Sequence, residues 1–106
     1  MARRFRVIIT PEAHQHLRDI RSYLRLQSPN AAKEWSKGIR EQIQTLANNP
    51  ERCPLAPESS HFPNEIRESF YGRGNRGTYR ILFVVLSQSV FVLHVRHGSR
   101  LGLIGD

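Results

Sequence analysis

Arg76–Arg100 reads RGTYRILFVVLSQSVFVLHVRHGSR. Thr78 to Leu86 and Val90 to His97 are runs rich in β-branched and aromatic residues, apolar on both faces for most of their length. They meet at Ser87-Gln88-Ser89, which predicts a hairpin of two central strands. Upstream, Gly72 to Gly77 (GRGNRG) carries turn chemistry. Before it, Glu65 to Tyr71 (EIRESFY) alternates, with Ile66 and Phe70 on one face and Arg67 and Tyr71 on the other. The C-terminal half is therefore expected to be a three-strand meander.

Working back from the meander, the segment from Pro50 to Pro63 contains Pro50, Pro54, Pro57 and Pro63 with Ser59-Ser60, and it reads as an ordered surface loop without regular structure. Two helices precede it. Thr10-Pro11-Glu12 supplies a capping hydroxyl, a proline at the first helical position and an acid in the first turn. Ala13, Leu17, Ile20 and Leu24 then draw one apolar stripe. Ser28-Pro29 repeats the device for a second helix striped by Ala32, Trp35, Ile39, Ile43 and Leu46, which Asn48-Asn49-Pro50 ends. Gly38 inside it costs roughly 1 kcal/mol relative to alanine, so its presence predicts close packing against a neighbour. Phe5 to Ile9 is a short first strand. The expected architecture is a single α+β domain over residues 1–106, in which an N-terminal strand and helix hairpin pack on a mostly antiparallel sheet completed by the meander.

The 106 residues suffice for one core and not two. No apolar run approaches a membrane span, and the N-terminus is too short in apolar residues for a secretory signal, so a cytoplasmic protein is expected. Cys53 stands alone, which excludes an intrachain disulfide. A net charge of +7, carried almost wholly by arginine with only Lys33 and Lys37 as lysines, points to a polyanionic partner, nucleic acid or acidic protein. His14, Arg18, Arg21 and Arg25 on the first helix read as its solvated face. No glycine-rich phosphate loop or Ser-His-Asp order is present, which disfavours small-molecule metabolism.

The densest positive region is Arg67 to Arg100, where Glu68 is the only acid. Arg67, Tyr71, Arg73, Arg76, Tyr79, His94 and Arg100 mix cations with rings, the combination that single-stranded RNA recognition needs. Metal-independent RNA cleavage further requires a base, an acid and a cation on the phosphate. His97 is the best titrating candidate, Arg80 the best phosphate ligand and Arg96 their neighbour; these three form the expected catalytic set. The structural alternative for Arg80 is a core-edge arginine paired with a carboxylate such as Glu65. His94 and His97 point to opposite faces of a regular strand, and His14 and His16 splay apart on a helix, so no metal site and no cofactor is expected. The whole reading rests on one expectation, that the meander gathers these groups into a single pocket.

ITPEA at the first helix, LANNP followed by ERCPLAPE, YRILF in the third strand and VLHVRHGSR at the end occur in an order and spacing that resemble the RelE/ParE superfamily of bacterial toxins. The resemblance covers about Phe5 to Arg100. It implies the toxin half of a type II toxin–antitoxin pair, with a cognate antitoxin that wraps the toxin and masks its active surface. RelE-like members cut messenger RNA in the ribosome, whereas ParE-like members block DNA gyrase without catalysing a known bond cleavage. Arg80 falls on the arginine that these families carry early in the third strand. Arg96-His97 falls near the end of the last strand, where RNA-cleaving members place a tyrosine or histidine. The first expectation is a ribosome-associated mRNA endonuclease. The alternatives are a ParE-like gyrase inhibitor and a non-toxic nucleic-acid-binding module.

Overall fold

The computed structural model describes residues 4–72 and 78–98. Along the chain run β1 (Arg6–Ile9), α1 (Pro11–Gln27), α2 (Pro29–Gln44), β2 (Ile66–Gly72), β3 (Thr78–Leu86) and β4 (Ser89–Gly98). The sheet order is β1-β4-β3-β2, with β1 parallel to β4 and the other pairs antiparallel. The α+β expectation holds, and the sheet is mixed because the N-terminal strand lies alongside β4.

Both helices start where the sequence places them. The Thr10 hydroxyl accepts a hydrogen bond from the Ala13 amide at 3.2 Å and donates to the Val92 carbonyl at 2.8 Å, so one side chain caps α1 and ties it to β4. Ser28 caps α2 through the Ala31 amide. After Gln44 the helix tightens into a 3-10 turn at Thr45–Ala47. There the Arg52 guanidinium donates to the carbonyls of Asn48, Asn49 and Thr45.

The helix hairpin covers one face of the sheet. Leu17, Ile39 and Ile43 meet Ile81, Phe83 and Val92 in a core with little or no exposure. Each such side chain contributes about 1.5–3 kcal/mol through removal from water. Trp35 joins this core with its ring edge-on to Tyr79 at 5.1 Å. Gly38 has the neighbour its position predicts: a Cβ there would overlap the Tyr71 hydroxyl, so the end of the Tyr71 side chain fills the space beside α2 that the missing Cβ leaves.

The segment between Pro50 and Pro63 corrects the expectation of a loop without regular structure. Pro50–Arg52 and Pro57–His61 are 3-10 turns, each opened by a proline whose fixed φ suits a helical start. The Ala56 amide donates to the Ile66 carbonyl at 2.7 Å and the Glu68 amide to the Pro54 carbonyl at 3.0 Å, which pairs the segment with the outer edge of β2 at an isolated bridge between Leu55 and Arg67, from where it turns onto the second face of the sheet. Ala56 packs there with Ile66, Leu82 and Val84. Among the described residues no helix is long and apolar enough to cross a membrane.

Candidate functional site

Side chains on consecutive strand residues leave opposite faces of a sheet. Tyr79 therefore enters the helix-side core while Arg80 leaves on the face covered by the proline-rich segment. Tyr79 pairs in register with Tyr71 on one side and His97 on the other, and the rings of Tyr79 and His97 meet edge-on at 5.0 Å. Phenol and imidazole thus lie on one side of the sheet and the Arg80 guanidinium on the other. The single pocket expected from the sequence is divided by the sheet itself.

Arg80 is 4% exposed and its guanidinium is held by two carboxylates. Glu58 accepts from Nη1 and Nη2 at 3.0 and 2.8 Å, a bidentate fork, and Glu68 accepts from Nε and Nη2 at 2.9 and 2.6 Å. The hydrogen bonds to Glu58 raise the Arg80 pKa against the opposing effect of burial. The same bonds hold the Glu58 carboxyl below its ordinary range, with the charge of Arg96 contributing. A buried guanidinium with both edges occupied has no free donor pair for a phosphate. The partner is a carboxylate, as the structural alternative anticipated, but Glu58 and Glu68 supply it while Glu65 lies 3.4 Å from Arg67.

The other expected site residues, His94 aside, divide four ways. Arg67 donates to the Cys53 carbonyl at 2.6 Å and to the Glu51 carbonyl, fastening the proline-rich segment. Tyr71 and Tyr79 pack in the core, and burial raises the Tyr79 pKa, so its phenol stays protonated. Arg73, Arg76 and Arg100 lie outside the described residues. Arg96 and His97 are both exposed near the end of β4 but on opposite faces of the sheet, His97 on the side of Tyr79 and Arg96 on the side of Arg80, and both border a shallow groove with His16, Asp19 and Ile20 of α1. A second groove continues from His97 along α1 past Ile20, Tyr23 and Leu24. Tyr23 is 61% exposed there, and Leu26 on the same helix is 86% exposed.

His94 has a surrounding that the sequence did not disclose. The register shifts between Leu82 and Phe83, which leaves Leu93 as an extra residue in β4. His94 stacks on His16 at 5.3 Å, and its Nδ1, 3.8 Å from Glu12, is buried without a hydrogen-bond partner among the described residues. Burial, reinforced by the neighbouring His16 and Arg96, lowers the His94 pKa against the opposing pull of Glu12. Glu12, His16 and His94 each place one potential ligand atom within 4.8 Å of the others. His16 Nδ1, however, accepts a hydrogen bond from the Val95 amide at 3.2 Å. The two rings are stacked with an interplanar angle of 22°. With Nδ1 taken by the Val95 amide, Nε2 is the His16 atom left to act as a ligand. The spacing signal that could have found this cluster is Glu12-His16, one helical turn apart.

A family model described as "ParE toxin of type II toxin-antitoxin system, parDE" matches residues 7–102. Among solved structures, a chain of the "Chromosomal ParDE TA system from P. aeruginosa" superposes with a TM-score of 0.69 at 21% sequence identity, covering 90% of this chain and 97% of that one. That likeness is one of fold. No curated protein matches the sequence closely enough to count as a relative.

Proposed function

Since the chain belongs to the ParE toxin family of type II toxin–antitoxin systems, we propose that it arrests growth as a non-catalytic inhibitor of DNA gyrase, held silent by a cognate antitoxin. The observation that carries this reading is the state of Arg80. RNA cleavage needs a cation, a base and an acid around one phosphate. Here the strand-three arginine is neutralised by Glu58 and Glu68 on the face away from His97. His97 is left exposed beside an apolar groove, with Arg96 exposed at the same level on the other face of the sheet, which suits docking on a protein surface better than bond cleavage.

The groove between α1 and the end of β4 is the surface we assign to both partners. An antitoxin segment laid along Ile20, Tyr23 and Leu24 covers His97 in the same step, so antitoxin and gyrase compete for one face. Two purified assays test the reading together. Supercoiling of relaxed plasmid by gyrase should fall at stoichiometric toxin, and messages on translating ribosomes should stay intact. Full supercoiling with cut messages would replace this reading with the endonuclease.

A further inference from the structure

A second cationic surface lies at the opposite end of the sheet from His97. The Arg6 amide donates to the Gln88 carbonyl at 2.9 Å, so the β3–β4 turn lies against the start of β1. Arg4 and Arg6 there line a hollow with Ser87, Gln88 and Ser89. Arg4 also pairs with Asn48 in an isolated bridge. Asn48 belongs to a neighbouring hollow that contains Lys37, Arg40, Gln44 and Thr45 of the α2 end, with Glu41 as its acid. The bridge joins the two hollows into one band. Arg4, Arg6, Lys37 and Arg40 are exposed and make no ion pair among the described residues.

The side chains of this band select its ligand. Neither hollow is lined by an aliphatic or aromatic residue. A protein partner needs a buried apolar anchor, and a single strand needs rings on which its bases stack. Contacts to a phosphodiester backbone use what is present: arginine and lysine interspersed with serine, threonine, asparagine and glutamine. We propose that the band formed by Arg4, Arg6, Lys37 and Arg40 binds the phosphate backbone of duplex DNA without reading its sequence. The surface is distinct from the α1 groove, so a toxin seated on gyrase by that groove keeps this band free for DNA.

The test is fluorescence anisotropy of the full chain with a labelled random-sequence duplex over a range of salt concentrations, with no gyrase present. Success or failure is therefore independent of the gyrase reading. Four phosphate contacts give a slope of log affinity against log salt of about −3.6. The Arg4→Ser/Arg6→Ser variant should flatten that slope by about 2. Lys37→Ser/Arg40→Ser, on a helix whose fold does not depend on those side chains, should do the same. Arg18→Ser/Arg21→Ser/Arg25→Ser removes more charge from α1 and should leave the slope unchanged. No binding to the duplex, equal weakening by the α1 variant, or equal binding to a single strand without secondary structure would each overturn the proposal.

Discussion

Arg80 and Arg96 face each other in register on neighbouring strands, yet they are opposite kinds of arginine. Arg80 is sealed under the proline-rich segment with Glu58 and Glu68, whereas Arg96 stands exposed at the sheet edge beside His97. Residue type and level in the sheet are the same; what differs is the layer above them. The chain between Pro50 and Pro63 covers Arg80 with an acid, and nothing among the described residues covers Arg96 in that way. One arginine is therefore a buried structural ion pair, while the other is left on the surface to which the proposed function assigns recognition.

The hardest way to break that comparison is to remove the sealed arginine. Arg80→Met leaves two carboxylates buried against each other, and the loss should be about 3–5 kcal/mol in urea denaturation. An unchanged unfolding midpoint with lost toxicity would move Arg80 into the functional surface. Next comes the contact behind Tyr71. Gly38→Ala gains roughly 1 kcal/mol of helix propensity but overpacks the Tyr71 hydroxyl, at a cost of about 1–3 kcal/mol, so net destabilisation is expected. The same substitution in a Tyr71→Phe background should cost less, since the overlapping oxygen is gone.

Acid sharpens the comparison through two groups whose pKa values are depressed on folding. Glu58 contributes stability that is present above its ordinary value of 4.5 and is lost as pH falls below it. His94 sits below its ordinary 6.5, so the folded state binds fewer protons than the unfolded chain just under that value, and stability climbs as pH rises towards 6.5. Stability measured against pH should therefore fall in two stages on acidification. His94→Leu should abolish the upper stage and leave the lower one. A single stage in the wild-type protein would contradict the burial of His94. The smallest effect belongs to the open side: Arg96→Ala and His97→Ala should each change stability by no more than about 0.5 kcal/mol, as surface substitutions do.

The parts of the fold that were legible in the sequence are those fixed locally. Thr10-Pro11 and Ser28-Pro29 set both helix starts through neighbouring atoms, and the alternation in EIRESFY assigned the faces of β2 correctly. Trp35 and Gly38 fell on the packed side of α2, as their positions implied. What could not be read depends on distant chain segments. That β1 lies parallel beside β4 follows from how the helix hairpin returns, and no local pattern encodes it. The acids on Arg80 lie 22 and 12 positions away in sequence, so the residues announced a carboxylate partner without saying which, and Glu65, the example they offered, pairs with Arg67 instead. The contact of His94 with His16 follows from an extra residue in β4, and a bulge of that kind leaves no mark in the hydrophobic alternation of FVLHV. The candidate site was thus legible as a set of residue types and illegible as a geometry, because the two faces of one sheet separate residues that the sequence sets side by side.

The account turns on recognition residing at the exposed edge. The measurement that tests it most directly is inhibition of purified gyrase supercoiling by the Arg96→Ala/His97→Ala variant, compared with wild type at equal concentration. The expected result is lost inhibition with an unfolding midpoint close to that of the wild type. Undiminished inhibition by a fully folded variant would contradict it.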